Sequence, residues 1–298
     1  MPSQPIQDTI AAFHKRRADR AGKPPPSVTQ LRESFTAGGQ PFPIPADVTV
    51  TPTMIANTPG SWLDGPGVQT DRVVLFLHGG GYQLGSLASH GELAARIGRE
   101  ARARVLFLDY PLAPEHPFPA AVDATLAAWR ALVTDHPAST IALAGDSAGG
   151  GLALAVMQAL RDAKESLPAA AALMSPHVDM TLSGASFTER ADRDPIFVAP
   201  MIQKLVADYL AGADPRTPRA SPLFGSLAGL PPLLVQVGSE ELLYSDAERI
   251  ATQARAAGVE VTYECADGLF HVYQAVATAP EAVSATAQIG AFLRSHWR

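Results

Sequence analysis

Short unbroken apolar runs alternate with segments of helical length along most of this chain, and that alternation limits its fold more than any other feature. Val73 to Leu77, Val105 to Leu108, Thr140 to Ala144, Ala169 to Met174 and Pro232 to Val237 read as strands. Leu87 to Ala101, Ala120 to Val133, Ala148 to Ala163 and Ser245 to Ala257 read as the helices among them. A strand with no polar face must be covered on both sides, which is the condition of a parallel sheet between helical layers. Val48-Thr49-Val50 and Met54-Ile55-Ala56 read as leading antiparallel strands. Val259 to Glu264, with period-two alternation, reads as a last strand, and Ala282 to Trp297 as a closing helix. The predicted class is α/β, a mostly parallel, doubly wound sheet.

Two segments interrupt the rhythm. In residues 1–45 a helix is expected from Gln7 to Arg20, broken by Pro24-Pro25-Pro26. A second short helix is expected from Val28 to Phe35, ending in irregular chain through Gly38, Gly39, Pro41, Pro43 and Pro45. Residues 177–222 hold the charged run Glu189 to Pro195 and a helix from about Pro200 to Ala211. A helical insertion in a doubly wound sheet can lie over the carboxyl ends of the strands, where ligands bind. Residues 1–45 and 177–222 are therefore expected to form a helical cap, and 46–176 with 223–298 the catalytic core.

The strongest chemical signal is Gly145-Asp146-Ser147-Ala148-Gly149. It has the G-x-S-x-G form and lies between a strand and a helix, the context in which a sharp turn lifts a serine hydroxyl clear of the sheet. The free N–H groups and dipole of the following helix favour negative charge there. An incidental serine in a small-residue turn is the competing reading. His78-Gly79-Gly80-Gly81-Tyr82 also directly follows a strand. Consecutive glycines let backbone N–H groups approach a ligand, so Gly79, Gly80 and Gly81, with Ala148 just after the serine, are the candidate oxyanion donors. No G-K-[ST] or G-x-G-x-x-G helix start follows, which argues against a phosphate loop. His78 itself reads as a brace for the loop.

A nucleophilic serine needs a base, and the chain has eight histidines. His14, His136 and His296 sit among polar neighbours. His90 lies at a helix start, His116 among prolines and His177 at the edge of the insertion. His271, in Asp267-Gly268-Leu269-Phe270-His271, follows a strand and completes the order serine, acid, histidine. The acid should follow the strand ending at Val237, where Glu240, Glu241 and Asp246 compete. Asp246 fits the first turn of the next helix. Between the other two the spacing favours Glu241 over Glu240.

The net charge of −6 leaves no electrostatic footprint for nucleic acid. Cys265, alone in the chain, has no intramolecular disulfide partner and reads as a small buried hydrophobe. No Cys/His cluster suggests a metal. The N-terminal stretch is polar, no run approaches the ~20 apolar residues of a membrane span, and a cytoplasmic location is expected.

The glycine loop, the stretch Tyr110-Pro111-Leu112-Ala113-Pro114-Glu115-His116-Pro117-Phe118-Pro119-Ala120-Ala121, and Gly145 to Gly150 together resemble the bacterial hormone-sensitive lipase family of carboxylesterases. The similarity runs from about residue 46 to the end and is weakest in 1–45 and 179–215. It implies an α/β-hydrolase fold with a cap, no cofactor, and hydrolysis of short- to medium-chain acyl esters. It further implies a small-molecule ester as partner, and a homodimer through roughly residues 259–264 and 282–297. The family's Asp-Pro-Leu acid motif is best matched by Glu241-Leu242-Leu243, with glutamate in place of aspartate. Pro111 stands where the family has arginine, and an internal ion pair is expected to be looser for it. Substrate contacts are expected from Tyr82, Asp146, Met201, Leu205, Phe270 and Val272, although Met201 and Leu205 could equally pack the cap onto the core. A lactone, an amide or an acetylated metabolite would suit the same residues. A non-catalytic receptor on this scaffold, like the gibberellin receptors, would lack the histidine that this chain has at 271.

Overall fold

The computed structural model describes residues 1–24, 26–38 and 42–297. The breaks expected at Pro25, Gly39 and Pro41 lie outside the described residues. Two N-terminal helices, α1 (Gln4–Arg20) and α2 (Val28–Gly38), precede a strand hairpin of β1 (Thr49–Ile55) and β2 (Thr58–Asp64). The alternation then begins: β3 (Gln69–Leu77), α3 (Leu87–Ala101), β4 (Ala103–Leu108), α4 (Ala120–Asp135), β5 (Ile141–Asp146), α5 (Ala148–Asp162) and β6 (Ala171–Met174). The insertion contributes α6 (Ser186–Glu189) and α7 (Ala199–Leu210). The chain closes with β7 (Leu233–Gly238), α8 (Tyr244–Ala256), β8 (Val261–Ala266) and α9 (Pro280–His296).

The strands form one sheet in the order β1-β2-β4-β3-β5-β6-β7-β8. β1 runs antiparallel to β2, and β2 antiparallel to β4; every other pair is parallel. β3, β4, β5, β6 and β7 carry buried side chains such as Leu75, Phe76, Leu106, Leu143 and Val235, which a single-sided sheet could not hide. One core layer joins the sheet to α4, α5 and α8 through Trp129, Leu152, Val156 and Ile250. The other joins it to α3 and α9 through Leu93, Ile97, Ile289 and Leu293. From β3 the chain passes to β4 on one side and then crosses to β5 on the other, so the order reverses between β3 and β5. The crevice at such a reversal is where α/β sheets place ligands.

Two expectations are corrected. The two leading runs are one strand, β1, and its hairpin partner is β2. Pro59 and Gly60 hid β2 from the pattern, yet Gly60 lies so close to β4 that a Cβ would sit 2.7 Å from the Phe107 carbonyl oxygen. Ala56 and Asn57, with φ of 46° and 65°, supply the doubly left-handed turn that hairpins favour. Cys265 is exposed, because β8 is an edge strand. Arg32 of α2 pairs with Glu115 at 2.7 Å and holds its carboxyl down to about 2. No helix among the described residues is long and apolar enough to cross a membrane.

β5 meets α5 where the chain is tightest. A Cβ on Gly149 would stand 1.9 Å from the carbonyl oxygen of Leu77, and backbone cannot yield as a side chain does. Gly149→Ala should therefore destabilise the protein by about 2–3 kcal/mol or prevent folding. Urea unfolding checks this, and a midpoint equal to that of the parent would contradict the packing described.

Candidate active site

Ser147 occupies the turn between β5 and α5 with φ 52° and ψ −119°, a conformation that costs roughly 1–3 kcal/mol for a non-glycine residue. The end of β6 and the chain after it hold it there. The Ser147 N–H donates to the Met174 carbonyl at 2.8 Å, and the His177 N–H donates to the Ser147 carbonyl at 3.0 Å.

The glycine loop leaves β3 beside this turn. His78 is buried, stacked on Tyr110 with ring centroids 4.3 Å apart, and its Nδ1 lies 2.8 Å from the Gly79 carbonyl. The Tyr110 hydroxyl donates to the His78 carbonyl at 2.6 Å. Burial, with the nearby His90, lowers the His78 pKa to about 3. His78 is thus a neutral brace, as expected. The Gly79 N–H donates to the Asp146 carboxylate at 3.0 Å. That bond removes Gly79 from the candidate oxyanion donors. Gly80 and Gly81 border the cavity over Ser147.

Asp146 also touches that cavity, but its carboxylate is committed to the Gly79 N–H and to His90, whose Nε2 is 3.5 Å away. Burial would raise the Asp146 pKa; His90, His78 and His271 outweigh burial and lower it. Asp146 is therefore a charged clamp between the serine turn and the glycine loop.

His271 lies in the loop after β8, and its Nδ1 is 2.8 Å from Glu241 Oε2. Glu241 is fully buried. Its other oxygen accepts from the Ser175 hydroxyl at 2.7 Å and the Gly238 N–H at 2.6 Å. A carboxylate that accepts at both oxygens holds the adjacent Nδ1 as the donor of a neutral imidazole, so Nε2 keeps its lone pair. Burial would lower the His271 pKa, but the charge and hydrogen bond of Glu241, with Asp194 and Asp146, raise it. Glu240 instead forms an ion pair with Arg193 at 2.6 Å. Asp246 sits in the first turn of α8, as expected, and accepts the N–H groups of Val178 and Asp179 at 2.8 and 3.0 Å.

Ser147 and His271 open into one cavity of about 1260 Å³. Tyr82, Met201, Leu205, Phe270 and Val272 line it, as do residues of α1 and α2. Among the described residues, no group of three or more His, Cys, Asp or Glu side chains is arranged to hold a metal ion.

Residues 74–275 match the family model described as alpha/beta hydrolase fold. An acetyl-hydrolase of Streptomyces hygroscopicus is 45% identical over 268 residues, covering 89% of this chain and 87% of its own. An esterase of Acinetobacter venetianus is 36% identical, covering 85% and 84%. The crystal structure of an esterase from the bacterial hormone-sensitive lipase family superposes with a TM-score of 0.93 at 42% identity, covering 100% of both chains. The chain belongs to the bacterial hormone-sensitive lipase family of α/β-hydrolases.

Several residues around the site of this hydrolase escaped the sequence pattern. Ser175 links two loops, donating to Glu241 and accepting the Val272 N–H at 3.1 Å. Asp194 accepts the N–H groups of Ile196, Phe197 and Leu242, joining the insertion to the acid loop. Phe197 sets its ring edge-on to His271, with centroids 4.8 Å apart. Ser175 has a legible signal, since it directly follows an apolar strand beside the serine turn. Asp194 and Phe197 have none, because only the fold brings residues 194–197 to His271.

Asp146→Ala in this hydrolase should cost about 1–3 kcal/mol, because it strands the buried Gly79 N–H and removes the carboxylate beside the buried His90 ring. Glu240→Gln, which breaks a largely exposed pair, should cost under about 1 kcal/mol. Denaturant unfolding of the two variants checks the ranking, and the reverse order would contradict the clamp.

Proposed function

We propose that this protein is a serine carboxylesterase that cleaves short- to medium-chain acyl esters through an acyl-enzyme at Ser147. The bond from His271 Nδ1 to the buried Glu241 carries the reading, because it orients a base whose other face shares a cavity with Ser147. His271 Nε2 takes the Ser147 proton as Oγ attacks the ester carbonyl. The N–H groups of Gly80, Gly81 and Ala148 hold the oxyanion, each worth about 3 kcal/mol to the transition state. His271 then gives its proton to the departing alcohol and activates the water that releases the acid. Glu241 holds the ring by its Nδ1–H and stabilises the imidazolium.

The 45% identical acetyl-hydrolase supports a small acyl group. We assign residues 1–45 and 177–222 to a cap, supported by the walls that α1, α2 and α7 give the cavity. β8 at the sheet edge supports pairing of two copies through that strand and α9. The receptor reading is disfavoured by the paired histidine and acid.

Ser147→Ala should lower kcat/KM for p-nitrophenyl butyrate by about 10⁴-fold or more. Glu241→Gln should lower kcat far more than Glu240→Gln. A folded Ser147→Ala protein with near-parental turnover would refute the proposal. The pH profile follows from the same pair. Catalysis needs neutral His271, so activity is lost as pH falls through its pKa. Since that pKa is raised, the acid limb of kcat/KM should have its midpoint above the ordinary histidine value of ~6.5. Glu241→Gln should move it down. A parental midpoint at or below ~6.5 would contradict this assignment of the base.

A further inference from the structure

The cavity is larger than a short ester requires. Its volume of about 1260 Å³ exceeds the ~300–1,000 Å³ of most small-molecule sites. Its inner wall is apolar, with Phe35, Leu84, Met201, Ile202, Leu205 and Val206. Its charged lining is confined to one place. Among the described residues, apart from the committed Asp146, every Asp, Glu, Lys and Arg bordering the cavity lies on α1 or in the turn just after it.

That set is predominantly cationic. Arg16, Arg17, Arg20 and Lys23 border the cavity beside two acids, Asp8 and Asp19. Asp19 pairs with Lys15 at 2.7 Å; Asp8 accepts from the neutral Gln4 amide at 2.7 Å and keeps its charge, so the cations still outnumber the acids. The Arg17 guanidinium is half-buried and donates to the carbonyls of Asp194 and Phe197, at 2.9 and 3.1 Å. Those acceptors fix its position without neutralising its charge. Arg20 and Lys23 are exposed and follow it around the rim. A local excess of positive charge beside an apolar passage, on a chain of net charge −6, suits a ligand that brings negative charge to this place.

We infer that the preferred ester carries an anionic oxygen group, a carboxylate or a phosphate, at the end remote from the scissile bond, held at the rim by the cations of α1 and its following turn. The inference rests on the proposed esterase reading and names the substrate class of that same site. The apolar wall takes the body of such a molecule while Arg17, Arg20 and Lys23 receive its anionic end.

The test uses p-nitrophenyl esters in a graded set of acyl chain lengths, each made with a terminal carboxylate, a terminal phosphate and a neutral terminal carboxamide. At the best chain length, at least one anionic ester should exceed its carboxamide counterpart in kcat/KM by about fivefold or more, chiefly through KM. The carboxylate and phosphate arms identify the head group. The preference should fall towards one as salt rises from about 0.01 to about 1 M, over which the screening length drops from ~30 to ~3 Å. It should fall likewise in Arg20→Gln and Lys23→Gln, which are exposed and carry little risk to folding. Turnover of the carboxamide esters with no anionic preference at any chain length would overturn this inference and leave the esterase reading standing. A preference unaffected by salt and by both substitutions would overturn it too. Absence of turnover on every ester would overturn the esterase reading and this inference with it.

Discussion

The contact of the serine turn with the end of β3 is the constraint on which the site depends. Gly149 presses its backbone against the carbonyls of Leu77 and His78, at a spacing that admits no Cβ. The residue after those carbonyls begins the glycine loop. One steric contact therefore sets how far Ser147 stands from Gly80 and Gly81. Asp146 adds a charged bond across the same gap, to the Gly79 N–H. The strained backbone of Ser147 persists because both sides of the turn are held, by β6 and by α5. Strain of a few kcal/mol is small beside the packing of two core layers around it.

A second unit is built around Glu241. Its carboxyl group gathers His271, Ser175 and the Gly238 N–H, so the His271 loop, the end of β6 and the end of β7 converge on one buried side chain. The two units meet at Ser175, which follows the strand that anchors Ser147. The parallel sheet makes this economical. Strands that all end at one edge deliver serine, acid and histidine loops to the same side without long connections.

The sequence was most legible where backbone geometry and burial impose residue types. The buried strands, the helices between them and the two glycine-bearing turns follow from such demands. Glu241 was separable from Glu240 only weakly, because both follow the same strand. The structure separates them by environment: one is buried among donors, the other paired with Arg193 near the surface. β2 was missed because Pro59 and Gly60 read as turn residues, although the glycine serves a close strand approach. Gly79 reads as an oxyanion donor because consecutive glycines let backbone N–H groups approach a ligand. Its N–H proved to be bonded to a side chain that a linear pattern does not orient. Cys265 reads as buried from its residue type, and nothing in the sequence marks β8 as the edge strand that leaves it exposed.

The central claim is that Ser147 is a nucleophile activated by His271 and Glu241. Labelling with a fluorophosphonate, followed by mass spectrometry of the digested protein, tests it most directly. The account predicts one adduct per chain, on Ser147, formed much more slowly at pH values where His271 is protonated. An adduct on another residue, or none on active protein, would contradict it.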